Sequence, residues 1–230
     1  MKFGGSLISS IDFPEKISLV IFFAGCPLRC PYCHNPELLK NGKDIDVESI
    51  KRKISSSKDF IDAVVLSGGE PLFQEKEVEE ILKHAYSLGL KTKLDTNGIY
   101  PKKLNSIIKY LDYVSLDVKA PFTKYKEIIG KNVGSEVKES MKILNKSKVY
   151  LECRTTYVPK LMTKNDIVKI AKEIDCDLYT LQQFRNETVL DPYLKNIEPP
   201  KVEELKKIAK TVKNIVKKVK IKTIEGEYTI

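Results

Sequence analysis

Residues 17–33 read Ile17-Ser18-Leu19-Val20-Ile21-Phe22-Phe23-Ala24-Gly25-Cys26-Pro27-Leu28-Arg29-Cys30-Pro31-Tyr32-Cys33. An apolar, β-branched and aromatic run of strand length leads directly into three cysteines within eight residues. Three thiolates are one short of the four that close an ordinary iron–sulfur or structural zinc site. A [4Fe-4S] cube held by only three leaves one iron with an open coordination position, where chemistry can occur. The spacing, CxxxCxxC, also differs from the CxxCxxC run of electron-carrying ferredoxins.

Simpler uses of these cysteines fit less well. Cys33 and His34 are adjacent, and neighbouring side chains rarely turn onto one tetrahedral ion. A fourth zinc ligand would have to come from Cys153 or Cys176, each distant in sequence and without a second cysteine nearby. A disulfide framework is disfavoured by the odd count of five cysteines, the length of 230 residues and the absence of a signal-peptide pattern. A reactive cluster needs a reducing interior, so a cytoplasmic location is expected.

Composition gives the frame. A chain of 230 residues can bury a substantial core as one domain. No apolar run is long enough to span a bilayer. The net charge of +9 comes almost wholly from lysine, the only arginines being Arg29, Arg52, Arg154 and Arg185. Lysines alternate with glutamates over 75–83 and 201–218, as on solvated, ion-paired helix faces. No basic stripe interleaved with aromatic residues accompanies them, so nucleic acid is not the expected partner.

Apolar runs of strand length alternate with helical patterns along the chain, the mark of repeated β-α units. Strands are expected at Ile17–Phe23, Ala63–Leu66, Lys91–Asp95, Tyr113–Val118, Val149–Arg154 and Leu178–Leu181. Helices are expected at Val47–Ser55, Glu75–Ser87, Lys102–Lys109, a pair across Lys124–Lys146, Lys164–Ile174 and Lys201–Val216. The last is read from an apolar stripe of Ile208, Val212, Ile215 and Val216. Asp46, Thr163 and Pro200 stand near helix starts. Six such units predict an α/β fold, an open (β/α)6 partial TIM barrel. It would form a single domain over residues 1–230 with a short N-terminal extension over about residues 1–15. The pattern alone leaves a doubly wound open sheet as the alternative.

Period-two alternation divides the fourth of these strands. Tyr113, Ser115, Asp117 and Lys119 share one face, and Val114, Leu116 and Val118 the other. The apolar face should meet the helices, which turns Asp117 and Lys119 into the barrel, a costly place for charges that serve no ligand. The fifth strand repeats this with Glu152, Arg154 and Thr156, leaving Cys153 toward the helices as a small core residue. Cys176, at a helix end, also reads as structural. At the C-terminal strand ends, where β/α enzymes keep their active sites, stand Ser67-Gly68-Gly69-Glu70-Pro71 and Asp95-Thr96-Asn97-Gly98. Either alone could be an ordinary turn. The order triad, Gly-Gly-Glu-Pro, Asp-Thr-Asn-Gly is specific.

The triad resembles the signature of the radical S-adenosylmethionine (SAM) superfamily. With Ser9-Ser10-Ile11-Asp12-Phe13-Pro14 and Cys33-His34-Asn35-Pro36-Glu37-Leu38, the chain resembles the glycyl-radical enzyme activating proteins. These include the activators of anaerobic ribonucleoside-triphosphate reductase and of pyruvate formate-lyase. The resemblance implies a [4Fe-4S] cluster on Cys26, Cys30 and Cys33, with Tyr32 and His34 beside SAM. Gly68, Gly69 and Glu70 would receive the SAM amino group. Asn97 and Gln182 would also line the cofactor, and Lys119 and Arg154 match positions near its carboxylate and ribose. A monovalent cation is implied at Asp95, Thr96, the Ser115 carbonyl and Asp117, where it would offset two interior carboxylates. Leu181-Gln182-Gln183-Phe184-Arg185 stands where the pyruvate formate-lyase activators carry a histidine. No cysteine lies between Asn35 and Val65, which excludes a second cluster module there.

The implied reaction is one-electron reduction of the cluster by ferredoxin or flavodoxin, cleavage of SAM and formation of a glycyl radical on a partner enzyme. Two rivals stand beside it. One is a radical SAM enzyme acting on a small molecule, resembling 7-carboxy-7-deazaguanine synthase. The other is a non-catalytic metal-binding or RNA-associated protein, supported only by the basic charge.

Overall fold

In the computed structural model, which describes residues 1–230, the parallel strands are neighbours in chain order. The strands are β1 (Lys2–Phe13), β2 (Lys16–Phe23), β3 (Lys43–Asp44), β4 (Ala63–Gly68), β5 (Lys91–Thr96), β6 (Tyr113–Asp117), β7 (Tyr150–Tyr157), β8 (Leu178–Gln183), β9 (Val219–Thr223) and β10 (Gly226–Thr229). The helices are α1 (Val47–Ser57), α2 (Glu75–Ser87), α3 (Pro101–Ile107), α4 (Tyr125–Ile129), α5 (Gly134–Asn145), α6 (Lys164–Glu173) and α7 (Val202–Val212). One sheet runs β10-β9-β8-β7-β6-β5-β4-β2-β1-β3, parallel from β2 to β9 and antiparallel at both ends.

This order has no point at which the chain reverses across the sheet, as a doubly wound fold requires. Each helical segment therefore lies on the same side, and the sheet is the open partial barrel expected from the sequence. Six β-α units run from β2 through α7, with β9 as a seventh parallel strand.

The alternating pattern sorts the two faces as expected. Leu19, Ile21, Val64, Leu66, Leu94, Val114, Leu116, Leu151, Cys153, Tyr179 and Leu181 point to the helices and belong to the main core. The inner face carries a small apolar floor of Phe13, Val20, Ala63, Val65 and Tyr113, with charged side chains above it. Cys153 and Cys176 are both buried core residues. The helices start as their residues dictate: the Asp46 side chain accepts the Glu48 amide, and Thr163 forms a full capping box with Asp166.

Two expectations change. Residues 2–13, expected as a short extension, form the longest strand, paired antiparallel with β2. The final helix ends at Val212 rather than Val216, and residues 219–223 pair in parallel with β8. The apolar stripe stops short because Ile215 is 39% exposed, while Val219 and Ile221 join the sheet's helix-facing core. Alternating Lys220 and Lys222 had concealed a strand within a lysine-rich run. No helix is long and apolar enough to cross a membrane.

Candidate active site

The loop after β2 carries the three cysteines, and the turns after β4, β5 and β6 close around it. Gly68 has φ +119°, a backbone region that favours glycine, and a Cβ there would lie 2.3 Å from the Phe23 carbonyl oxygen. A Cβ on Gly69 would lie 2.4 Å from the Gly25 carbonyl oxygen. Bare backbone is what lets this turn dock on the cysteine loop, through Gly69 N to Phe23 O (2.8 Å) and Glu70 N to Gly25 O (2.9 Å). From the far side, the amides of Leu190 and Asp191 both donate to the Pro31 carbonyl. Tyr32 is buried, and its hydroxyl donates to the Lys119 carbonyl at 3.3 Å, tying the loop to the end of β6.

All three cysteines are free and line one cavity of about 290 Å³. No three His, Cys, Asp or Glu side chains converge tightly enough to share a single metal ion. Burial pushes the Cys26 thiol up to about 11 and the Cys30 thiol in the same direction. His34 also lines the cavity, and its Nε2 is buried without a hydrogen-bond partner. Burial, then Lys119 and Arg185, lower its pKa, so its ring is neutral at pH 7.

Of the residues expected around a cofactor, Tyr32, Gly68, Gly69, Asn97, Asp117, Lys119, Arg154 and Gln182 line the same cavity. Asn97 Nδ2 approaches Cys26 Sγ at 3.7 Å. Glu70 is placed differently. It is fully buried and absent from the lining, because its carboxylate accepts from Leu72 N (3.1 Å), Thr96 Oγ1 (2.8 Å) and Asn97 N (2.8 Å). Three of its acceptor positions are thereby filled, and it fastens the β4 turn to the β5 turn. Burial pushes its pKa up to about 7.

Below the cavity runs a chain of alternating charges. Lys93 Nζ lies 3.1 Å from Asp95 Oδ1, and Arg154 Nη1 lies 3.4 Å from Asp95 Oδ2. Arg154 Nε reaches Asp117 Oδ1 at 3.1 Å, and Lys119 Nζ reaches Asp117 Oδ2 at 3.0 Å. Burial opposes ionisation of Asp95, but Arg154 and Lys93 outweigh it and hold its carboxyl far below the usual range. Lys119 and Arg154 do the same for Asp117, less strongly. Burial works against the Lys119 charge, yet Asp117 outweighs it and Lys119 remains an ammonium. Deeper still, Glu152 accepts hydrogen bonds from the hydroxyls of Tyr113 (3.0 Å), Ser115 (2.9 Å) and Thr180 (2.5 Å).

These partners leave the expected cation position without its purpose. Thr96 Oγ1 is engaged by Glu70 and by the Gly98 amide, and the two carboxylates are already neutralised by Lys93, Arg154 and Lys119. Asp95, Thr96 and Ser115 do not line the cavity. The donor set does not fit an alkali ion. Sequence reasoning missed Lys93, together with Arg185 and Lys222 at the cavity wall. For Lys93 the signal was available, since it stands two residues before Asp95 on the same strand face. Gln183 also lines the cavity, and its amide ties β8 to its surroundings, donating to the Pro200 carbonyl and accepting from Ile224 N.

Residues 20–174, two thirds of the chain, match the family described as the radical SAM superfamily. The chain belongs to the radical SAM superfamily. It is 41% identical over 97% of its length to a Methanocaldococcus jannaschii protein provisionally named as a glycyl-radical enzyme activating enzyme, covering 96% of that protein. It is 32% identical over 90% of its length to a pyruvate formate-lyase-activating enzyme of Clostridium pasteurianum, covering 94% of it. Among solved structures, Streptococcus suis SuiB bound to S-adenosylmethionine superposes with a TM-score of 0.67 at 17% identity. That superposition covers 89% of this chain and 51% of SuiB, a likeness of fold alone. The cofactors of a radical SAM enzyme are a [4Fe-4S] cluster and SAM. The three free thiols around one cavity, the orphaned His34 Nε2 and the bare Gly68-Gly69 backbone fit that pair.

Proposed function

We propose that this radical SAM enzyme generates a glycyl radical on a partner enzyme. The observation carrying this reading is that Cys26, Cys30 and Cys33 share one cavity with Lys119 and Arg154. Its likeness over nearly full length to activating enzymes supports the choice of substrate class. Cys26, Cys30 and Cys33 would hold the [4Fe-4S] cluster, which, with ferredoxin or flavodoxin as electron donor, would supply the one-electron reductive cleavage of SAM needed to remove hydrogen from a glycine Cα of the partner.

The chain's own residues bind, orient and shield. Lys119 and Arg154 offer positive charge to the SAM carboxylate, while Asp95 and Asp117 keep both cations fixed. Tyr32 backs the adenine, and its hydrogen bond to the Lys119 carbonyl holds the ring against β6. The Gly68-Gly69 backbone admits the amino group where a side chain could not fit. Gln182, at the end of β8, faces the ribose, and its amide can serve as donor or acceptor. His34 and Asn97 complete the wall beside the cysteines. No side-chain acid, base or nucleophile is required.

The test is anaerobic. Reconstituted protein is mixed with SAM, a reductant and a candidate glycyl-radical enzyme, and the partner is examined by electron paramagnetic resonance. A glycyl doublet that requires SAM supports the proposal. SAM cleavage without a radical on any candidate, accompanied by turnover of a small molecule, would overturn it.

A further inference from the structure

Lys93 is the one buried cation in the barrel that the proposed reaction does not use. Its side chain is 5% exposed, and its ammonium is enclosed by groups suited to a monovalent cation. It donates to the Asp12 carbonyl at 2.5 Å, lies 3.1 Å from Asp95 Oδ1 and stands 5.3 Å over the centre of the Tyr113 ring. Asp95 Oδ1 has no hydrogen-bond partner, so this ammonium is its only close countercharge. Asp95 Oδ2 is taken by the Ser67 hydroxyl and Arg154.

We infer that Lys93 serves as a built-in monovalent cation beneath Asp95, making SAM binding by this chain independent of alkali ions. An ammonium tethered two residues away on the same strand face is always present, whereas a free ion must be captured from solution. A free ion would also meet Lys93, Arg154 and Lys119 around the two carboxylates. Asp12, near the end of β1, fixes the ammonium through its carbonyl, which gives that long strand a part in the site. Lys93 is thus a positioning residue: it acts through Asp95 on Arg154.

This inference rests on the reading of the cavity as a SAM site. The experiment uses the cluster-loaded protein in choline chloride, potassium chloride and sodium chloride at equal ionic strength. It follows both the SAM-induced change in the reduced-cluster resonance and the thermal midpoint. The wild type should bind SAM equally in all three salts, within about twofold. Lys93→Ala should bind about tenfold more weakly in choline and regain most of that loss in potassium or sodium. Wild-type affinity that rises about tenfold with alkali ions would overturn the inference. So would a Lys93→Ala loss that no alkali ion restores, or no loss at all. Should Lys93→Ala not fold, Lys93→Met and the wild-type comparison decide. If SAM changes nothing in any salt, the cavity reading fails on its own. The midpoints still judge Lys93: only the lysine variants should be stabilised by alkali ions over choline, and alkali stabilisation of the wild type would refute the role.

Discussion

Glu70 Oε2 accepts the backbone amide of Asn97 at 2.8 Å, joining the turn after β4 to the turn after β5. The same carboxylate binds the Thr96 hydroxyl and the Leu72 amide. Two motifs separated by 27 residues are thereby held as one rim, and Asn97 is aimed at Cys26.

This carboxylate gives a signed pH dependence. Burial raises its pKa from 4.5 to about 7, so the folded state holds the proton more tightly than the unfolded state. Its stabilising contribution is greatest below the unfolded value and declines as pH rises toward 7, by about 3 kcal/mol across the window. Glu70→Gln removes that decline. Urea midpoints at pH 5 and pH 8 should show the variant gaining on the wild type at the higher pH. A constant difference would refute the assignment.

Glu152 should behave oppositely. Burial opposes its charge, but Arg154, Thr180 and Lys93 outweigh it and hold its pKa below the ordinary value. Its contribution is present above the unfolded value and is lost as pH falls through the folded one. Glu152→Ala should cost about 3 kcal/mol at pH 7, because three hydroxyls lose their acceptor and Arg154 loses a nearby negative charge. The deficit should shrink in acid. Chemical denaturation against pH measures it, and a cost within about 1 kcal/mol at neutral pH would contradict the account.

Gly69→Ala should damage the site through backbone displacement. Its new Cβ would meet the Gly25 carbonyl oxygen at 2.4 Å, one residue before Cys26. Stability should fall by about 1–3 kcal/mol. Iron retained after reconstitution should also drop, as metal analysis would reveal; full iron content would show that the cysteine loop does not depend on this contact.

The cavity wall bears Lys119, Arg154, Arg185 and Lys222 against the single carboxylate of Asp117. With the net charge of +9, this predicts docking of an acidic partner segment. Association with a glycyl-radical enzyme should weaken about tenfold as salt rises from about 50 mM to about 500 mM. Salt-insensitive binding, followed by calorimetry or light scattering, would count against it.

Much of this was legible in the sequence because β/α units carry strong periodic signals. Apolar strands such as Ala63–Leu66 and capped helices such as Lys164–Glu173 declare themselves locally. Alternation correctly set Asp117 and Arg154 inward. What escaped was decided by tertiary pairing. β1, with its Gly4-Gly5 pair and serines, has little strand character until it lies against β2. β9 borrows its regularity from β8. Glu70 lay in a recognised motif, yet its hydrogen bonds to the next turn depend on how two loops meet, which no local pattern encodes. Lys93 stood in plain alternation with Asp95, but in a run of lysines it resembled a solvated residue.

Isotope transfer follows the abstracted hydrogen atom itself. A glycyl-radical enzyme bearing α-deuterated glycine is incubated anaerobically with the reduced protein and SAM, and the 5′-deoxyadenosine is examined by mass spectrometry. Deuterium should appear in the 5′-deoxyadenosine with a matching glycyl radical on the partner, and neither should appear with Cys30→Ala. Unlabelled 5′-deoxyadenosine from the wild type, with no glycyl radical formed, would contradict the proposed function.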